Sequence, residues 1–254
     1  MMAVREKRSS KVPEVTIAFW LIKIAATTLG ETGGDALSMT MQLGYAVSTA
    51  IFFVIFIVAV SAQVGARSFH AFLYWAVIVA TTTVGTTMAD YADRSLGIGY
   101  VGGSLILFAL LMSVLGAWRL ATGSVSVSSI TTRKAESFYW VTILFSNTLG
   151  TALGDWLADA GLGYEGAALV FAAGLALVAA AYFYSRISHA LLFWAAFILT
   201  RPLGATLGDT LTKPYANGGL DLSRISSSAI IALFIIACIL VLPQRAGGHP
   251  GERA

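Results

Sequence analysis

Cysteine occurs once in this chain, at Cys238, and histidine three times, at His70, His189 and His249. A lone cysteine excludes an intramolecular disulfide and a thiolate metal cluster within one chain. The histidines fall in loops, at helix starts or in the tail, so no imidazole ligand set of the zinc or copper kind is on offer. Charge is scarce as well. Asp, Glu, Lys and Arg make up 11% of the 254 residues, where soluble domains carry about 25%. With 57% hydrophobic residues and a mean hydropathy of +0.79, the chain has the composition of a membrane protein. Its net charge of +3 does not point to nucleic acid. Basic residues collect in the N-terminal run Arg5, Lys7, Arg8, Lys11 and in short loops, as the positive-inside effect expects. No small-residue cleavage site follows the first apolar segment, so that segment is expected to be retained as a span.

What the chain does have is a ruler laid down four times. A tryptophan is followed ten residues later by a glycine, and that glycine five residues later by an aspartate. The copies are Trp20–Gly30–Asp35, Trp75–Gly85–Asp90, Trp140–Gly150–Asp155 and Trp194–Gly204–Asp209. An aromatic residue precedes each tryptophan (Phe19, Tyr74, Tyr139, Phe193). Repetition on this scale dictates the architecture before any single element does.

Apolar runs long enough to cross about 30 Å of hydrocarbon lie at roughly 15–34, 43–62, 70–89, 97–118, 136–154, 164–185, 188–208 and 226–242. The odd-numbered runs carry the ruler, and the even-numbered ones are almost purely aliphatic and aromatic. The expected fold is an all-α polytopic membrane bundle of eight transmembrane helices, arranged as four tandem parallel two-helix repeats. The repeats span about 14–66, 67–121, 132–186 and 187–242, flanked by a basic N-terminus (1–13) and a tail (243–254). Arg67, Arg119, Arg133, Lys134, Arg186, Arg245 and Arg253 join the N-terminal cluster on one side, against Arg94, Lys213 and Arg224 on the other. That bias puts both termini in the cytoplasm and the aspartates near the far ends of their spans. Each repeat crosses an even number of times, so the repeats are related by rotation about the membrane normal. Acid-bearing spans avoid lipid by facing inward, which places the four ruler helices around a central axis and the plain helices outside.

The strings around the aspartates are GETGGD, GTTMAD, GTALGD and GATLGD. Their small residues suit close helix packing, and the four tryptophans read as packing anchors too deep for either interface. A turn accepts Asn, Ser or Gly as readily as Asp, so four aspartates at one register point to chemistry. Glu31, Asp93 (three residues after Asp90) and Asp159 (four after Asp155) add acids on the same faces if the helices continue. Asp35, Asp90, Asp155 and Asp209, with Glu31, are the candidate cation site. Carboxylates and threonine hydroxyls form an oxygen-only donor set suited to a hard ion such as Mn²⁺ or Mg²⁺. Lys23, near mid-span, needs a carboxylate partner, Glu31 or one on a neighbouring span, or else loses its proton, and Arg201 stands where the other copies have Thr27, Thr82 and Asn147. Both are candidates for tuning the site's charge. Pro202 is expected to kink its span and free a carbonyl. Whether Asp93, Asp159, Glu165 or Asp221 bind anything is open. Intramembrane aspartyl proteolysis has no Gly-x-Gly-Asp signature here, so no enzyme is expected.

The unit of Trp20, Trp75, Trp140 and Trp194, with two spans per unit and four tandem units from about Glu14 to Leu242, resembles a bacterial family built from a membrane repeat of unknown function. The resemblance implies a membrane protein of two-helix repeats and brings no biochemistry. From the residues, the expectation is a bacterial plasma-membrane (inner-membrane) transporter or exporter of a hard cation. The alternatives are a non-transporting scaffold or assembly factor, and a carrier of small organic cations that meet the tryptophans by cation–π attraction. The lipid bilayer is the one partner implied.

Overall fold

A computed structural model describes residues 10–127 and 130–247. Arg5, Lys7, Arg8, Arg253 and His249 lie outside the described residues. Within them the chain forms α1 (Ile17–Asp35), α2 (Gly44–Gly65), α3 (Ala71–Asp90), α4 (Gly99–Thr122), α5 (Arg133–Leu157), α6 (Gly163–Tyr184), α7 (His189–Thr212) and α8 (Arg224–Val241). Hydroxyl caps start three of them. Thr16, Thr132 and Ser223 accept bonds from the amides of Phe19, Ala135 and Ser226, groups the helix itself cannot satisfy.

Six stretches among the described residues are long and apolar enough to cross a membrane, and they take in α2 to α8, with α5 and α6 in one stretch. The expected eighth crossing is the exception. Lys23, Glu31, Asp35 and a run of Thr and Gly lower the hydropathy of α1. Protein shelters it instead.

The reason is a ring. α1, α3, α5 and α7 each pack against the next, and α7 returns to α1. The plain helices stand outside, α2 against α3, α4 against α5, α6 against α7 and α8 against α1. The two helices of one repeat therefore do not form a packed hairpin, as the repeat boundaries suggest. Each plain helix docks on the ruler helix of the following repeat, and α8 closes the circle on the first. Three of the four connectors are built alike. After each of the first three aspartates the helix widens into a π turn (Ala36–Thr40, Tyr91–Ser95, Ala158–Leu162). A glycine at positive φ (Gly44, +73°; Gly99, +75°; Gly163, +65°) then opens the next helix, a conformation that side chains resist. In the fourth copy Lys213 and Pro214 end α7 without such a turn.

The ruler glycines set how closely the ring can shut. A Cβ on Gly30 would overlap Thr82, one on Gly150 would overlap Arg201, and one on Gly204 would overlap Thr27. At Gly85 it would sit 3.1 Å from the Thr148 amide nitrogen and 3.2 Å from Asn147. Each glycine thus receives the residue three positions before the next repeat's glycine. Hydroxyls seal two of these contacts, with Thr82 donating to the Ala26 carbonyl (3.1 Å) and Thr27 to that of Thr200 (3.1 Å). Helix α7 continues through Pro202, and no break appears there.

The tryptophans lie in the first two turns or so of their helices, nearer one end of the bundle than the sequence spacing implies. Trp75, Trp140 and Trp194 are buried, whereas Trp20 is only partly so. They stack with Phe19, Tyr74, Tyr139 and Trp118 of α4, and the Tyr74 and Tyr139 hydroxyls share a 2.6 Å bond. Trp75 Nε1 donates to Gln244 Oε1 (3.1 Å) and Trp194 Nε1 to the Val125 carbonyl (3.0 Å). The two chain ends meet at this same end. The Glu14 amide donates to the Arg245 carbonyl (2.9 Å) and the Gly247 amide to that of Val12 (2.8 Å). Lys11 caps the end of α2 through the carbonyls of Gln63, Val64 and Ala66, and pairs with Glu136 of α5 at 2.5 Å.

Candidate functional site

Four residues apart along a helix is a single stripe, and each ruler helix turns one such stripe to the ring axis. The stripes read Lys23–Thr27–Glu31–Asp35, Ile78–Thr82–Thr86–Asp90, Ile143–Asn147–Thr151–Asp155 and Phe197–Arg201–Ala205–Asp209. Every one of these side chains is at least 95% buried. Because the repeats share a register, they stack as four layers about 6 Å apart. Layers differ in character: mostly apolar at Lys23, then polar, then the layer of Glu31, then four aspartates.

Arg201 ties the middle layers together. Its Nη2 donates to Glu31 Oε2 (3.1 Å), Thr86 Oγ1 (2.5 Å) and Thr151 Oγ1 (2.6 Å), side chains from the other three ruler helices at one level. Thr86 in turn donates to Glu31 Oε2 at 3.3 Å. The axis is filled there by a guanidinium that touches all its neighbours. Lys23 does not meet the first of its two expectations, a carboxylate partner. Among the described residues no carboxylate pairs with it, and its ammonium lies 4.1 Å over the Phe197 ring and 3.5 Å from Asn147 Oδ1. Glu31, the partner nearest along its own helix, is engaged by Arg201.

The aspartates meet in two pairs. Arg94 holds Asp90 through Nε (2.9 Å) and Asp155 through Nη2 (3.1 Å). Lys213 Nζ lies 2.8 Å from Asp35 Oδ2 and 3.1 Å from Asp209 Oδ1, with Arg224 Nε 3.6 Å from Asp35. In each pair the cation stands four residues after one aspartate and reaches the aspartate of the next repeat. Only the second and fourth repeats supply one, since Met39 and Asp159 occupy the equivalent places. The fourfold ring is therefore twofold in its charges. Glu31, Asp35 and Asp209 each present an oxygen within 4.8 Å of the others, the geometry that could hold a metal ion.

Of the additional acids, Asp93 is half-buried beside Gly103, while Asp159, Glu165 and Asp221 are exposed. Asp93 and Asp159 both lie in the π turns that follow Asp90 and Asp155, where they are less buried than those two aspartates.

The arrangement of four equivalent units has a counterpart in a family model. The model described as Repeat of Unknown Function (DUF347) matches residues 18–69, 73–124, 138–188 and 192–245, most of the chain. The chain belongs to that family. Each DUF347 match holds one ruler helix and the plain helix after it, so the sequence unit straddles the packing unit. No curated protein and no solved structure matches the chain.

Sequence reasoning placed Arg94 and Lys213 on the sparsely charged side of the membrane and assigned them no role. Their spacing carried a signal nonetheless. A cation four residues after a buried aspartate is an i,i+4 pair, whose side chains are neighbours on a helix.

Proposed function

We propose that this DUF347 protein is a bacterial plasma-membrane transporter or exporter of a hard cation, divalent Mn²⁺ or Mg²⁺ in the first instance. The observation that carries this reading is the gathering of Asp35, Asp90, Asp155, Asp209 and Glu31 at one end of a buried axis. Buried acids inside an apolar helical bundle are costly, and such residues mark ion pathways more often than they serve packing. Arg94, Arg201 and Lys213 are the internal counter-ions that face the acids when no substrate is present. Both termini are cytoplasmic in this reading and the aspartates face the other side. In this reading the substrate binds without being transformed, and no residue is assigned a catalytic role.

A second reading has its own observation. Each ruler aspartate already has a basic partner, so the network also suits a static membrane scaffold in which the repeats only assemble. The organic-cation reading has less in its favour, since the indoles of Trp75, Trp140 and Trp194 are buried against other rings.

Cellular metal content separates these. Expression of the wild-type protein should change accumulated Mn²⁺ or Mg²⁺ severalfold, and Asp90→Asn and Asp155→Asn should each abolish the change while the protein still reaches the membrane. Variants that both retain full flux would end the acidic-site model. Absence of any flux with wild type would favour the scaffold.

A further inference from the structure

The two aspartate pairs are built alike but closed by different chemistry. Arg94 presents a planar fork, with separate nitrogens on Asp90 and Asp155. A guanidinium always carries its charge, and its fixed geometry matches carboxylates, so such a clamp is hard to dislodge. Lys213 places one compact ammonium between Asp35 and Asp209. A point charge of that kind mimics a bound metal ion more closely than it mimics a clamp. Glu31 completes the ligand set on this side only, because the corresponding residues of the second and third repeats are Thr86 and Thr151. Asp35 is 1% exposed, yet its Oδ1 has no hydrogen-bond partner, and neither has the buried Asp209 Oδ1; in the Arg94 pair Asp90 Oδ2 alone is left so. A buried carboxylate oxygen normally finds one.

Lys213 is also placed to leave. Its backbone is fixed, the amide donating a hydrogen bond to the Asp209 carbonyl (2.8 Å) and the carbonyl accepting one from the Asp221 amide (2.9 Å), but Pro214 follows and the residues from 214 to 218 are exposed. The side chain thus enters the pair from the end of the helix, where the chain meets the surface.

We propose that Glu31, Asp35 and Asp209 form a cation-binding cradle in which the Lys213 ammonium is the displaceable occupant, while Arg94 holds the Asp90–Asp155 pair more firmly. The ligand class is a hard divalent ion, which takes carboxylate oxygens and tolerates several of them. This rests on the transport reading for the ion's identity and narrows four equivalent aspartates to one pair.

Purified full-length protein titrated with Mn²⁺, the free ion followed by electron paramagnetic resonance, tests it. Lys213→Gln should tighten Mn²⁺ binding about tenfold. Asp35→Asn and Asp209→Asn should weaken it by at least as much, and Asp90→Asn should weaken it by less than either. Unchanged or weaker binding by Lys213→Gln, or equal damage from Asp90→Asn and Asp35→Asn, would overturn the cradle. Should Lys213→Gln fail to fold, Lys213→Arg serves: a forked cation should hold the pair more firmly and weaken Mn²⁺ binding, and equal or tighter binding overturns the idea. Mn²⁺ binding with these dependences but no cellular flux would sink transport and leave the cradle. Flux that every aspartate variant abolishes, with Mn²⁺ affinity indifferent to Lys213, would do the reverse.

Discussion

The inner and outer helices of this protein are built on opposite rules. Of the most apolar stretch of α2, 17% is buried within the protein, and the same holds for α8; for the stretch containing α3 the figure is 67% and for α7 61%. The outer helices are apolar on every side, as suits a helix whose solvent is lipid. The inner ones carry glycine, threonine and acid. Lipid gives apolar side chains no reason to leave it, so helices associate through small residues and hydrogen bonds. Polarity has gone inside because nothing outside would accept it.

That contrast can be broken or sharpened by substitution, with thermal unfolding in detergent as the readout. The largest effect is expected at Arg201. Arg201→Leu leaves Glu31 buried and unpaired and should cost about 3–5 kcal/mol. The double variant with Glu31→Gln should be less damaged than the single one, because the orphaned charge is gone. A double variant as unstable as the sum of its parts would mean the two side chains act independently. Next comes Gly204→Ala, whose Cβ overlaps Thr27. Overpacking of this kind costs about 1–3 kcal/mol. The same change at Gly116 of the outer helix α4, where a Cβ meets nothing within 4 Å, should be neutral or stabilising by up to about 1 kcal/mol through helix propensity. Equal effects at the two glycines would erase the distinction between ring and shell. Tyr139→Phe removes one side of the bond to Tyr74 and should cost about 1 kcal/mol.

Much of this was legible in the chain. The ruler announces four equivalent helices, and their polarity turns them inward. The aspartates were found by repetition alone. Other features resisted for reasons that are local in origin. Lys23 looked to Glu31, its neighbour two turns along the same helix, whereas the side chains it meets come from α5 and α7 across the axis. The packing of each plain helix on the following repeat is settled by contacts between helices, and no hydrophobic pattern records it. Arg94 and Lys213 were counted for orientation, since a charge at the end of a span reads the same whether it faces water or an acid.

The sequence by itself determined which helices are polar, which stripe of each is polar, and how often the pattern recurs. Those are properties of a single helix, written in its period. Tertiary structure alone decided that the ring closes from the fourth repeat onto the first, that Arg201 fills the axis, and that four like aspartates divide into one pair held by a guanidinium and one by an ammonium. Partners of that kind are chosen by the distances between helices, and those distances are fixed only when glycine lets one backbone settle against the next.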